Sequence, residues 1–314
     1  MTAPATAQWL IGDRLANARL SDANGQRVSL HAEFAGLPLW LAFTTSQTLA
    51  RGLPCPPPGV NALCFGSHGF SAREGWRSFS VEPLWQAGAG ADVVWVADAN
   101  LRLQECRPLS LVNDLAPFMA SPRALSAAQL ATTAPVLQIP AVYEAEFCAR
   151  LIEHFEGDCK GGEPSGVVVF EDGKEKFQLD PTIKLRRESP PRDIEIEQHM
   201  HERLLRRALP EIARVFNYQV QRRDPFKLLA YAEGAGYFRA HRDNETPDVA
   251  HRRFALSVNL NTGAYEGGEF RFPEFGPHQY SPGVGGALVF SCSLLHEVLP
   301  VHSGTRYAMT TFLM

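Results

Sequence analysis

Through the first third of the chain, apolar positions run in short unbroken stretches, and the residues between them are mostly turn formers. Pro38–Phe43 (PLWLAF) and Asp92–Ala97 (DVVWVA) are such runs. A strand covered on both faces needs continuous apolar residues, so both predict buried strands of a parallel or mixed sheet. Pro- and Gly-rich loops, notably Gly52–Val60, lie between them. The pattern then changes. Tyr143–Phe155 (YEAEFCARLIEHF) sets Phe147, Leu151, Ile152 and Phe155 on one helical face, and a longer amphipathic segment runs from about Arg192 to Phe216. From Phe226 onwards the runs are short and β-like: FKLLAYA, FALSVNL, GEFRF, GALVFS and RYAMTTFLM. A helical layer followed by many short strands predicts a β-sandwich or open barrel with helices packed on one sheet. SPRALSAAQLATTAPVLQIP reads as a linker with a short helix around Ala124–Leu130. The expected domains are therefore 1–120 and 140–314, joined by 121–139.

Composition narrows the function classes. The chain has 314 residues, 45% of them hydrophobic, ample for one large core or two ordinary ones. Its net charge of −4 and pI near 6.2 give no electrostatic footprint for nucleic acid or an anionic membrane. MTAPATAQWLIGDR has neither the basic flank nor the apolar stretch of a signal peptide, and no 18 uncharged apolar residues run together. The six cysteines form no CxxC pair and read as reduced thiols in a cytoplasmic protein.

The candidate chemistry lies in the second half. His241-Arg242-Asp243 ends a strand-like segment, Tyr231–His241, and residues two apart in extended chain point to one side. His296 ends a second such segment, GALVFSCSLLH. Two histidines and a carboxylate on one face of an octahedron make a site for non-haem iron. Alone, His-x-Asp reads as well as an exposed turn. Arg306 lies beyond the turn His302–Thr305, which predicts a last strand antiparallel to that of His296, with Arg306 and Thr310 turned into one cavity. A buried guanidinium there needs an anion, and a dicarboxylate supplies one. Val167–Pro191 is charged and strand-like, with Lys184, Arg186 and Arg187 placed to meet an acidic substrate at a lid or rim. The alternative for that segment is a solvated hairpin. His251 is the rival metal ligand, in the polar loop DVAHRRF.

Residues 140–314 resemble the prolyl-4-hydroxylase-like branch of the 2-oxoglutarate and Fe(II)-dependent oxygenases. The motifs are LLAYAEGAGYFRAHRDN, RRFALSVNLN, YEGGEFRF and SPGVGGALVFSCSLLHEVLPVHSGTRYAMTTFL. The resemblance implies a double-stranded β-helix (jelly roll) flanked by helices, in a chain that is α+β overall. It places the iron ligands on His241, Asp243 and His296, and the far carboxylate of 2-oxoglutarate on Arg306. It sets Tyr231 against the co-substrate near the metal, and Asn259 where some relatives have a tyrosine. Ser257 shares that strand face. Gly267, Gly268, Gly283, Gly285 and Gly286 read as turn and bend residues. The retained carboxylate of Asp243 favours oxygenation over halogenation. The implied activity is hydroxylation of an unactivated C–H bond in a peptidyl or free amino acid, with proline the favourite. Fe(II), 2-oxoglutarate and O2 are consumed or bound, ascorbate accompanies them, and succinate and CO2 are the co-products.

Residues 9–118 resemble thioredoxin-like proteins of the peroxiredoxin type, through GDRLANARLSDANGQRVSLHAEFAGLPLWLAF and VVWVADANLRLQE. That family carries its attacking cysteine just after the PLWLAF-type strand. Here Thr44–Thr48 holds none, and Cys55 lies between Pro54 and Pro56, without the helix N-terminus that lowers a thiol pKa. The expected role is a non-catalytic α/β scaffold, with homodimerisation or substrate docking open to it. Two other functions remain: a thiol peroxidase built on the first half, and a jelly-roll module that binds without catalysis.

Overall fold

The computed structural model describes residues 10–11, 13, 15–22, 24–66, 73–81, 92–99, 101–111, 133–171, 174–234 and 236–314. The chain divides into two compact units: Met1–Ala134 with Pro273–Pro277, and Pro135–Phe272 with His278–Met314. The helix expected around Ala124–Leu130 falls outside the described residues.

In the first unit the strands are β1 (Arg19–Asp22), β2 (Arg27–Ser29), β3 (Leu39–Phe43), β4 (Asn61–Phe65), β5 (Arg77–Val81), β6 (Val93–Ala97) and β7 (Leu103–Pro108). They form one sheet in the order β2-β1-β5-β4-β3-β6-β7. The pairs β3–β4 and β4–β5 are parallel, and the margins are antiparallel. The apolar runs serve both faces, as continuous runs must. Leu39, Leu41, Phe43, Leu63 and Phe65 pack on one side, while Trp40, Ala42, Ala62 and Cys64 pack on the other. Helix α1 (Leu30–Phe34) and helix α2 (Gln47–Gly52) are short. The Ser46 hydroxyl caps α2 by accepting from the Leu49 amide. Cys55 lies past the C-terminal end of α2, exposed, away from the helix amides that would stabilise a thiolate. All six cysteines are free.

The second unit opens with β8 (Leu137–Ile139), a strand where a linker was expected, and α3 (Ala145–Glu156). Next come β9 (Glu163–Pro164), β10 (Val167–Glu171), β11 (Lys174–Gln178), β12 (Lys184–Leu185) and β13 (Arg187–Ser189). The amphipathic segment forms α4 (Ile194–Arg203), a π-helical stretch Leu204–Ala208, and α5 (Leu209–Phe216). Its buried stripe is Ile196, Met200, Leu204, Ala208 and Ile212, a strict spacing of four. At 3.6 residues per turn such a stripe rotates by about 40° per step, and the wider π turn takes up that drift. Pro210, which has no N–H to give a helical bond, sits just beyond it. Asn217 ends the helix in the left-handed conformation (φ 49°).

The remaining strands are β14 (Lys227–Tyr231), β15 (Tyr237–His241), β16 (Phe254–Asn259), β17 (Tyr265–Gly267), β18 (Phe270–Arg271), β19 (Gln279–Tyr280), β20 (Ala287–Ser291), β21 (His296–Val298), β22 (Val301–Gly304) and β23 (Arg306–Leu313). They build two antiparallel sheets, β8-β20-β16-β23-β14-β13-β9 and β12-β15-β21-β18-β19, with small β10–β11 and β17–β22 ribbons beside them. Strand alternation divides the larger sheet. Leu228, Ala230, Leu256, Val258, Met309 and Leu313 join the helices in one core, each apolar side chain worth roughly 1.5–3 kcal/mol when fully buried. Leu229, Tyr231, Ser257 and Thr310 face the other way, into a cleft also lined by residues of the smaller sheet. The two sheets therefore face each other across that cleft. No helix among the described residues is long and apolar enough to cross a membrane.

Three expectations about connectivity fail. Tyr231–His241 is not one strand: Glu233-Gly234 turns the chain (Gly234 φ 70°), so Tyr231 and His241 sit in opposite sheets. His296 opens a strand instead of ending one, because Cys292–Leu295 form the turn after β20. The chain then turns at Leu299-Pro300, and Val301–Gly304 is itself a strand. Arg306 thus lies on the sheet facing that of His296, not on a neighbouring strand.

Candidate metal centre and its cleft

His241 and His296 meet because β15 and β21 pair antiparallel with these two residues in direct register. Asp243, two residues past His241, is pinned from below: its amide donates to the Cys292 carbonyl at 3.0 Å. Asn244 Nδ2 donates to Ser293 Oγ at 2.8 Å, and the Arg242 guanidinium donates to the Ser293 carbonyl. The turn after His241 is thereby tied to the turn before His296.

The three side chains converge through their outer atoms. Asp243 Oδ1 lies 3.4 Å from His241 Nε2, and Asp243 Oδ2 lies 3.4 Å from His296 Nε2. One donor atom from each residue falls within 4.8 Å of the others. Donors cis on an octahedron with bonds near 2.2 Å stand about 3 Å apart, so the set closes on one metal ion with small adjustments. The inner nitrogens are already committed: His241 Nδ1 is 2.7 Å from the Arg239 carbonyl, and His296 Nδ1 is 3.0 Å from the Leu294 carbonyl. A carbonyl can only accept, so both Nδ1 atoms carry hydrogen and both Nε2 lone pairs face the site. Phe238 lies flat on the His241 ring (3.5 Å, 19°), and Phe290 packs on His296 at 4.5 Å.

Electrostatics match ligation. Burial pushes the His296 pKa down to about 4, which keeps the imidazole neutral. Burial pushes the Asp243 carboxyl up, but His296 and His241 outweigh it, and the net shift is down. His296 thus offers a neutral imidazole and Asp243 a carboxylate to the site.

The cleft above this centre measures about 420 Å³ with its mouth included. Tyr231, Ser257, Thr310 and Arg186 are its polar walls, and Leu229, Phe270, Phe290, Val298 and Phe312 are apolar ones. Arg306 is 0% exposed, stacked against two lining rings, 5.0 Å from the centre of Tyr231 and 5.3 Å from that of Phe270. Gly268 (φ 70°) makes room for it, since a Cβ there would lie 2.7 Å from Arg306 Cδ. Arg306 Nη2 donates to Asn259 Oδ1 at 2.7 Å, while Nε and Nη1 have no partner among the described residues. A buried cation left so costs several kcal/mol until an anion meets it. The cleft thus has two features that fit a bound group: the His-Asp-His donors suit Fe(II), and the Arg306 nitrogens suit one end of a dicarboxylate.

Other residues take different places from those expected. Asn259 does not present a donor to the cleft: its Nδ2 faces Thr262 Oγ1 (3.2 Å), Tyr265 OH (3.1 Å) and the Pro282 carbonyl (3.2 Å), and its Oδ1 holds Arg306. Thr310 does line the cleft, with Oγ1 donating to the Leu256 carbonyl at 3.1 Å. Of the three cations in the proposed rim, Arg186 alone lines the cleft. Arg187, on the opposite side of the extended chain, donates to the Gly162 carbonyl at 2.6 Å. Lys184 is buried, donating to the Gly166 carbonyl at 2.6 Å with its amine 5.0 Å over Phe238. His251 is outside the metal set. Sequence reasoning missed Glu188, which pairs with Arg186 (3.0 Å) and Lys227 (2.8 Å). Burial would raise its carboxyl, but those two cations hold it down at about 2. Its spacing of two from Arg186 in extended chain was the available signal.

Residues 226–314 match the family model of the 2OG-Fe(II) oxygenase superfamily, so the chain carries a domain of that family at its C-terminal end. No curated protein matches the chain. Among solved structures, it is similar to a Pseudomonas putida prolyl-4-hydroxylase (22% identity, 58% of this chain and 93% of that one, TM-score 0.43). It is also similar to a Trichoplax adhaerens prolyl hydroxylase solved with a peptide fragment of the hypoxia inducible factor oxygen degradation domain (16% identity, 58% and 84% coverage, TM-score 0.46). A third is a Burkholderia pseudomallei oxidoreductase of the 2OG-Fe(II) oxygenase family (18% identity, 57% and 84% coverage, TM-score 0.39).

Proposed function

We propose that the protein is an Fe(II)- and 2-oxoglutarate-dependent dioxygenase that hydroxylates an unactivated C–H bond of a peptidyl or free amino acid, proline first among them. The observation that carries this is the pairing, in one fold, of a His-Asp-His donor set with a buried arginine on the facing sheet whose Nε and Nη1 have no partner among the described residues. The match of residues 226–314 supports it. The choice of proline rests on the resemblance of the motifs alone. With Fe(II), 2-oxoglutarate and O2 bound, the cofactor chemistry oxidises the C–H bond and yields succinate and CO2.

The protein's own residues bind, orient and exclude water. His241, Asp243 and His296 would hold the metal at the floor of the cleft. The Arg306 nitrogens take the far carboxylate of the co-substrate, and Asn259 keeps that guanidinium from turning away. Phe270, Phe290, Val298 and Phe312 keep the walls dry. The first unit is proposed as a non-catalytic scaffold: its Thr44–Thr48 stretch has no thiol, and Cys55 lies on an exposed loop.

Succinate formation from 2-oxoglutarate by protein reconstituted with Fe(II) without oxygen, then exposed to air, tests the reading. Turnover is expected in the wild type and absent in His241→Ala. Wild-type protein that holds Fe(II) but neither turns over nor binds 2-oxoglutarate would sink it.

A further inference from the structure

We propose that Arg186 is a positioning residue: it fixes the Tyr231 hydroxyl so that the phenolic proton points to a ligand oxygen in the cleft. The inference rests on the co-substrate reading above. It replaces the substrate-rim role that the sequence had offered for Arg186.

Three bonds lock the guanidinium. Nη1 donates to Tyr231 OH at 2.8 Å, Nη2 to Glu188 Oε2 at 3.0 Å, and Nε to Ser165 Oγ at 3.4 Å. Its side chain is only 11% exposed, and its Cζ lies 5.1 Å from the Phe238 ring centre. Glu188 cannot drift, since Ser165 Oγ donates to it at 2.5 Å and Lys227 Nζ at 2.8 Å. A planar fork held at three nitrogens has one orientation. With every nitrogen engaged, Arg186 is not poised to grip an acidic substrate.

The consequence falls on Tyr231. A phenol has one O–H to give, and accepting from Arg186 directs that hydrogen away from the guanidinium. Tyr231 is 1% exposed, and its O–H has no acceptor among the described residues. A buried donor so left requires one from a ligand. Tyr231 also pairs with Arg306 across β14 and β23, and the Arg306 guanidinium lies 5.0 Å over its ring. The phenol is thus clamped between two cations, one at its oxygen and one on its face. An anionic oxygen drawn into the cleft by Arg306 meets the Tyr231 proton already aimed.

The test is calorimetric titration of 2-oxoglutarate into Mn(II)-loaded protein, which reads binding without turnover, for Arg186→Lys, Tyr231→Phe and the double variant. Each single change is expected to raise Kd roughly tenfold, the loss of one charge-assisted or buried hydrogen bond. The double variant should bind no worse than Tyr231→Phe alone, because Arg186 acts through the phenol. An unchanged Kd in Arg186→Lys, with or without a lower melting temperature, would mean a structural role only and overturn the proposal. A roughly hundredfold loss in the double variant, the product of the singles, would also overturn it. Should Arg186→Lys fail to fold, Ser165→Ala decides: a rise of about two- to threefold is expected with Tyr231 present and none in Tyr231→Phe. An equal rise in both backgrounds, or none in either, overturns the proposal. If the wild type itself does not bind 2-oxoglutarate, the co-substrate reading falls first, and that outcome is distinct from a silent Arg186.

Discussion

The two units bury their charges differently. In the first, the sheet around β3 and β4 is apolar on both faces, and its interior is aromatic and aliphatic. In the second, one face of the large sheet is just as apolar, but the other carries Tyr231, Ser257 and Thr310, with Arg306 buried beside them and Asp243 and two histidines opposite. Burying a charge without a counter-charge, as at Arg306, destabilises a fold, so a surface that does so is shaped by something other than stability. The contrast identifies the cleft as the working part without any appeal to motif.

Removing a metal ligand gives the largest effect. Asp243→Ala should abolish turnover and lower Fe(II) affinity by more than about a hundredfold, beyond what losing an outer partner of a ligand costs. Equilibrium dialysis reads this directly. Arg306→Met comes next and separates function from stability. It should raise Kd for 2-oxoglutarate by about a hundredfold or more, two charge-assisted bonds being lost, while leaving the melting temperature unchanged or higher. A lower melting temperature with unchanged Kd would erase the contrast between the units.

In the first unit the same logic predicts pure stability effects. Leu41→Ala, in a fully buried strand, should cost about 2–5 kcal/mol in denaturant unfolding. A smaller effect attaches to Lys184, whose pKa burial pushes down to about 7 from 10.5. The unfolded chain then binds the proton more tightly than the fold between those values, so stability rises with pH from about 7 to about 10 and carries the full penalty below pH 7. Lys184→Met should therefore gain most over wild type below pH 7, by a few kcal/mol, and the gap should close towards pH 10. A gap independent of pH would show that the amine is not buried as described. Least of all, Cys55→Ser should leave peroxide consumption at the level of a bare thiol; a clear loss of catalysis there would revive a peroxidase function.

Much of this was legible in the chain, and the failures have physical reasons. The buried runs PLWLAF and DVVWVA became β3 and β6, because unbroken apolar sequence satisfies only a strand covered on both faces. The His-x-Asp pair was legible because its spacing is a local property, whereas His296 reaches it only through the pairing of β15 with β21. What was not local was misread. Nothing near Arg306 tells which sheet its strand joins, so it was set beside His296 instead of across from it. Asn259 was placed where some relatives have a tyrosine against the co-substrate, yet its amide is claimed by Thr262, Tyr265 and Pro282, which only the folded loops bring near. Arg186 was noticed for its charge, but of its partners only Glu188 is near in the chain, while Ser165 and Tyr231 come from other segments.

The most direct test of the central claim is 2-oxoglutarate binding measured with and without metal. Metal-loaded wild type should bind one equivalent, and the affinity should fall sharply when the metal is removed and again in Arg306→Met, since the proposed site would hold the two ends of the co-substrate from opposite sheets. Binding that is indifferent to both the metal and Arg306 would contradict the account.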